Sequence, residues 1–131
     1  MARVDIDDLS DVVEDIIKEY HDDVIDAVKK SVDEVANETM SIIKEHVTFG
    51  GRGKYVASMA LKTTENTKTS KGRIWYVKKP YYRLTHLLEY GHASRNGGRV
   101  KAFPHIKYGE EYAQQALPKR IEEKLNGISL H

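Results

Sequence analysis

Residues 9–43 read LSDVVEDIIKEYHDDVIDAVKKSVDEVANETMSII. Apolar side chains recur there at steps of three and four, from Leu9, Val12, Val13, Ile16, Ile17 and Tyr20 through Val24, Val28, Val32 and Val35 to Met40 and Ile43. That is the period of one helix face. The opposite face carries Asp15, Lys18, Glu19, Asp22, Asp23, Asp26, Lys30, Asp33, Glu34 and Glu38, and neither Gly nor Pro interrupts the run. Asp7 or Asp8 is placed to cap the first amides, and Asp11 and Glu14 suit the positive end of the helix. A continuous helix here is about 50 Å long, more than a compact domain of this size buries. Either it breaks near His21-Asp22-Asp23, or one end projects to meet something else. Its β-branched stripe has modest intrinsic propensity, so the helix depends on packing.

Downstream, Gly50-Gly51-Arg52-Gly53 reads as a basic loop. Residues 54–64 alternate, with Tyr55, Ala57, Met59 and Leu61 on one side, the pattern of a half-buried strand. A polar loop over 64–72 leads to a second strand over 73–78, antiparallel to the first. In it Trp75 and Val77 are expected inside, and Arg73, Tyr76 and Lys78 outside. Residues 81–90 fit a short helix with Leu84, Leu87 and Leu88 on its inner face and Gly91 as its stop. A glycine-containing hairpin loop over 92–99 precedes a third strand over 100–103. Pro104 then introduces a final helix over about 107–125, which Pro118 should kink or divide. The order α–β–β–α–β–α predicts one α+β domain over 1–131: a long N-terminal helix, and a small, mostly antiparallel sheet with the short and C-terminal helices packed on it.

The 131 residues carry 21 Lys and Arg against 20 Asp and Glu, a net charge of +1. The near-zero total hides a division. Residues 1–46, the acidic helical part, sum to −9, and residues 47–131, the basic part, to +10. Such asymmetry points to a charged partner, or to halves that neutralise each other by packing. The absence of cysteine excludes disulfides, thiolate metal sites and cysteine nucleophiles. Acids crowd the N-terminus where a signal peptide needs a basic start, and no apolar run approaches the roughly 18 residues of a spanning helix. No membrane partner is expected.

The chemistry-bearing residues cluster between Tyr81 and His105. His86, Glu89 and His92 are spaced by three, but Gly91 should end the helix before His92, and the pattern is not HExxH. Local hydrogen bonding is the better reading than a metal, and no cofactor is expected. His92, Asn96 and His105 suggest an HNH nuclease only weakly, since the acidic ligands of such a cradle are missing. A metal-free ribonuclease of toxin type is the better enzymatic alternative. Arg73, Tyr82, Arg83, His86 and Arg99 supply acids, bases and phosphate clamps for it, although the same side chains suit an ordinary solvated surface. Residues 47–109 sum to +11, with Trp75, Tyr76, Tyr81 and Tyr82 among the bases. Those are ingredients of single-strand nucleic-acid binding and equally of an Arg- and Tyr-rich protein interface.

The run KPYYRLTHLLEYGH at 79–92, then RNGGRV at 95–100 and Pro104-His105-Ile106, resembles the signature of a bacteriophage tail-component family. These are small neck or tail-completion proteins of long-tailed phages, and the resemblance covers most of the chain. It departs after the first helix, where HVTFGGRG at 46–53 replaces a proline-containing turn, and in the acidity of that helix. The resemblance implies a structural, non-enzymatic protein akin to tail terminators. It implies a homo-oligomeric ring, hexameric or larger, at the head–tail junction of the virion, assembled in the host cytoplasm. The implied partners are the head connector and tail-tube proteins, with non-specific contact to DNA in the lumen. On this reading Tyr82, Arg83, His86, Glu89, Gly91, His92, Asn96, Gly97, Gly98, Pro104 and His105 carry the signature and its structure. Arg52, Lys54, Arg73, Lys78, Arg83, Arg95, Arg99 and Lys101 are the expected partner- or DNA-facing residues. The charge division then suits opposite surfaces meeting across subunits in a head-to-tail ring.

Overall fold

The computed structural model describes residues 6–48 and 52–128, without the side chains of 6–11, 13 and 52. The expected caps at Asp7 and Asp8, the Asp11 charge, the glycines at 50 and 51 and the Arg52 side chain lie outside that description. The fold is α+β. Helix α1 spans Ile6–Glu45, α2 Arg52–Ala57, strand β1 Met59–Asn66 and β2 Lys71–Val77. A 3-10 turn over Tyr81–Arg83 runs into α3, Leu84–Tyr90. Strands β3, His92–Ala93, and β4, Arg99–Val100, precede α4, Ile106–Asn126.

Helix α1 does not break at His21-Asp22-Asp23. Its 40 residues form one rod, about 60 Å long. Its C-terminal half packs on α4 and on one face of the β1–β2 hairpin. Ala27, Ser31, Val35 and Ile43 are buried, and Ser31 donates from Oγ to the Ala27 carbonyl at 2.8 Å, which satisfies that hydroxyl within the helix. Helix α4 runs antiparallel to α1. Gly109 sits against Ile43, where a Cβ would lie 2.5 Å from Ile43 Cγ1, and the His46 and Tyr108 rings stack at 3.9 Å. Pro118 does not divide α4, which runs on to Asn126.

The expected strand over 54–64 is half helix. Residues 52–57 form α2, and β1 begins at Met59. The reason lies in the spacing: Tyr55 and Met59, both buried, are four apart, which satisfies a helical turn as well as an alternating strand. Ala57, expected inside with them, is exposed. Strand β1 pairs antiparallel with β2 in the register Met59↔Val77, Leu61↔Trp75, Thr63↔Arg73, with an irregularity between Thr63 and Glu65. Arg73 therefore shares the inner face with Trp75 and Val77, not the outer face expected for it. The residues expected as a third strand do not join this sheet. Of them only Val100 belongs to a strand, together with Arg99, and the two pair with β3 in a second, separate hairpin. There Gly97 and Gly98 take φ of 82° and 83°, and the turn closes through Ser94 N–H to Gly98 O at 3.1 Å.

The core is centred on Ile43, Val47, Tyr55, Met59 and Val77, with Leu88 and Trp75 at its edge. Leu84 and Leu87 do not join it. Leu84 is 41% exposed, and both face outward. Helix α3 turns Thr85, Leu88 and Glu89 inward instead, because its inner side is needed to hold the start of α4.

Candidate functional site

Two features of the surface and one joint beneath it organise this molecule. The joint is built from the signature residues. Glu89, 8% exposed, reaches from α3 to the first turn of α4. Its Oε1 accepts the backbone N–H of His105 at 3.0 Å and of Ile106 at 2.9 Å, and its Oε2 accepts that of Lys107 at 3.1 Å. A carboxylate from another helix thus serves as the N-cap that His105 does not supply. The His105 ring is fully buried. Its Nδ1–H points to Phe103 O at 2.9 Å with Glu89 Oε1 at 3.3 Å, and its Nε2 accepts from the Tyr55 hydroxyl at 2.7 Å. Burial, assisted by the Glu89 charge, pushes the Tyr55 phenol above its ordinary pKa, against the opposing hydrogen bond of Thr85. Gly91, at φ 73°, ends α3 and donates to Leu87 O at 2.8 Å. A side chain there would strike Val100 O at 2.6 Å.

Of the other candidate residues, some border this joint and some lie apart from it. His86 packs on Tyr90, with ring centroids 4.9 Å apart. Glu89 is spent on amides, and His92 Nδ1 is buried without a hydrogen bond among the described residues. No group of three His, Asp or Glu side chains suited to a metal occurs among the described residues. Asn96 lies exposed in the β3–β4 turn, away from the buried His105. Tyr82 and His86 line one depression with Glu89, Tyr90 and Lys107. Arg73 lines a different one, so the residues suggested for a ribonuclease are not gathered in one place. Arg83 donates to Tyr82 Oη at 3.1 Å, and Arg99 to Tyr90 O at 2.9 Å, which ties the β3–β4 hairpin to α3.

The acidic and basic halves meet inside the chain. Asp33 is bound by Lys71 at 2.7 Å and Arg73 at 2.9 Å. Glu34 and Glu38 are gripped by Arg120 at 3.0 and 2.7 Å, Glu34 also by Lys124 at 3.0 Å and Glu38 by the Tyr112 hydroxyl at 2.7 Å. Lys29 Nζ reaches the hairpin tip at Asn66 Oδ1, 3.1 Å away, and at Thr67 O. These cations hold the three carboxyls below their ordinary pKa: Lys71 first for Asp33, Lys124 for Glu34, Arg120 for Glu38. Sequence reasoning did not single out this strap. Its signal was there, in Glu34 and Glu38 four apart and Arg120 and Lys124 four apart. Like charges so spaced repel on one helix, and a complementary pair on a neighbouring helix relieves that repulsion.

Among the described residues, two further surfaces combine exposed apolar side chains with unpaired charge. Residues 6–23 of α1, about 27 Å of helix, lead away from the strap. Val12, Ile17 and Tyr20 are exposed there, Ile17 at 61%. Glu14, Asp15, Glu19, Asp22 and Asp23 are exposed beside them and have no cationic partner among the described residues. The second surface is the outer face of the β1–β2 hairpin, which none of the described helices covers. Ile74, 50% exposed, and Tyr76 stand on it with Lys62 and Lys78. A groove of about 660 Å3 at its end is lined by Trp75, Tyr76, Val77, Lys78, Lys79, Tyr82 and Thr85. Lys54, Lys78, Lys79, Arg95 and Lys101 are exposed and make no ion pair among the described residues.

Comparison with protein-family models, with curated proteins and with solved structures finds no match. None of the described helices is long and apolar enough to cross a membrane.

Proposed function

We propose that this is a non-enzymatic virion assembly protein. It is a neck or tail-completion component, akin to tail terminators, that forms a ring at the head–tail junction of a long-tailed phage. One observation carries the reading: the acidic N-terminal part of α1, a continuous helix whose Val12, Ile17 and Tyr20 the other described residues leave exposed. A helix that is amphipathic and uncovered belongs against a partner. The resemblance of the 79–106 region to phage tail components supports the same reading. So does the use of Glu89, Gly91 and His105 to brace a joint rather than to surround a substrate.

The charge strap changes how the ring is held. Asp33, Glu34 and Glu38 are neutralised within the chain, so they are not the acids that meet a neighbour. On this reading the acids that meet a neighbour are the exposed cluster between residues 14 and 23. Head connector and tail-tube proteins are the heterologous partners, and Arg95 and Lys101, on and beside the β3–β4 hairpin, are the residues placed to touch DNA without reading sequence. Native mass measurement of the protein with connector or tail-tube protein added tests the proposal. A ring is expected, and persistent monomers under all these conditions contradict it. For the ribonuclease alternative, His86→Ala and Arg83→Ala should abolish RNA cleavage, and a wild-type protein that cleaves nothing ends that alternative.

A further inference from the structure

The two surfaces of unpaired charge have the same shape of chemistry with opposite sign. On α1, an apolar line of Val12, Ile17 and Tyr20 is flanked by five carboxylates and a single Lys, Lys18, between residues 12 and 23. On the hairpin, Ile74 and Tyr76 and the groove beside Tyr82 are rimmed by Lys62, Lys78, Lys79 and Arg83. We infer that residues 12–23 of α1 in one copy dock on the outer face of the β1–β2 hairpin of the next copy. The inference rests on the ring reading and specifies its subunit contact.

Geometry makes the contact intermolecular. Helix α1 is one unbroken rod, and its C-terminal half is fixed to the inner face of the same hairpin by Arg73, Lys71 and the strap. The N-terminal part cannot turn back to the outer face without breaking the helix. A rod leaving one side and a receiving face on the other form a heterologous, head-to-tail contact, which closes into a ring when the rotation per copy permits. Apolar residues at 12, 16, 17 and 20 are the anchors of helix-in-groove recognition. The lysine rim against Glu14, Glu19, Asp22 and Asp23 selects register and orientation, as opposed charges do at interfaces. The same lysines and tyrosines are also ingredients of single-strand nucleic-acid binding. The matching acidic helix on the same chain favours protein.

Charge reversal tests this in the full chain, with connector protein added. Asp22→Lys with Asp23→Lys, or Lys78→Glu with Lys79→Glu, should each weaken assembly at least tenfold. All four substitutions together should restore it, because the reversed surfaces again match. Cross-linking gives an independent readout, since the chain has no cysteine of its own. Tyr20→Cys and Tyr76→Cys chains, mixed and treated with a flexible bismaleimide, should give a covalent heterodimer. Each chain treated alone should give none. Rings that form without this cross-link and without charge rescue overturn the docking and leave the ring reading intact. Absence of any ring overturns both. Binding of a single-stranded oligonucleotide that depends on Lys78 and Lys79, with no helix cross-link, assigns the face to nucleic acid and overturns the inference.

Discussion

The Glu89 carboxylate satisfies three α4 amides from a buried position and stands beside the His105 ring. Its removal leaves those donors, one buried and two part-buried, without their partner, and buried unpaired donors are costly. Glu89→Ala should therefore lower stability by about 2–4 kcal/mol, combining a lost cap with lost charge-assisted bonds. Glu89→Gln, which keeps one acceptor, should lose less. Denaturant unfolding midpoints report both, and an Ala variant as stable as wild type would contradict the capping role. Single residues differed in how readable they were. Gly91 and the Asn96-Gly97-Gly98 turn were legible because positive φ is a local demand that glycine answers. The Glu89 contact was not, because it joins residues 16 to 18 positions apart and depends on how α3 is rotated. That rotation also puts Leu84 and Leu87 outside, against their hydrophobicity.

At the scale of elements, the α1–α4 contact is the main seam, and Gly109 is its tightest point. Gly109→Ala places a methyl within 2.8 Å of both Ile43 Cγ1 and Cδ1. Overpacking of this kind should cost about 1–3 kcal/mol, read as a lower unfolding midpoint. A variant stabilised by the better helix former would show the seam to be looser than described. The charge strap sets a pH dependence with a definite sign. Asp33, Glu34 and Glu38 have depressed carboxyl pKa values. Their contribution is complete above the ordinary carboxylate range near pH 4 and is lost as pH falls through the depressed values. Thermal midpoints should fall as the solution is acidified through that window, and Arg120→Ala should make the fall shallower. An equal fall in the variant would remove the strap from the explanation. Helix α1, the β1–β2 hairpin and α4 were readable from period and punctuation. Helix α2 was not, since Tyr55 and Met59 obey two periods at once, and the β3–β4 pair was misjudged because two-residue strands carry almost no pattern.

For the whole molecule, the net charge of +1 conceals three local groupings of charge. One is settled inside the chain by the strap, one stands open on residues 14–23, and one stands open on the hairpin and its neighbouring loops. Only the open two bear on assembly. Exposed charges are screened beyond roughly 8–10 Å at physiological ionic strength, so ring formation should weaken as salt rises, as sedimentation at increasing salt would report. Assembly indifferent to salt would reduce these charges to solvation. The charge division itself was legible in the sequence. Which acids it committed internally was not, because that depends on the antiparallel register of α1 against α4.

The most direct test of the account is the mass of the assembled species for the wild-type chain and for Ile17→Asp with Tyr20→Asp, measured by sedimentation with head-connector protein present. Both side chains are exposed in the single chain, so their replacement should leave the unfolding midpoint nearly unchanged. Rings are expected for the wild type and monomers for the double variant. A variant that assembles as well as the wild type, or a wild type that stays monomeric, would contradict that expectation.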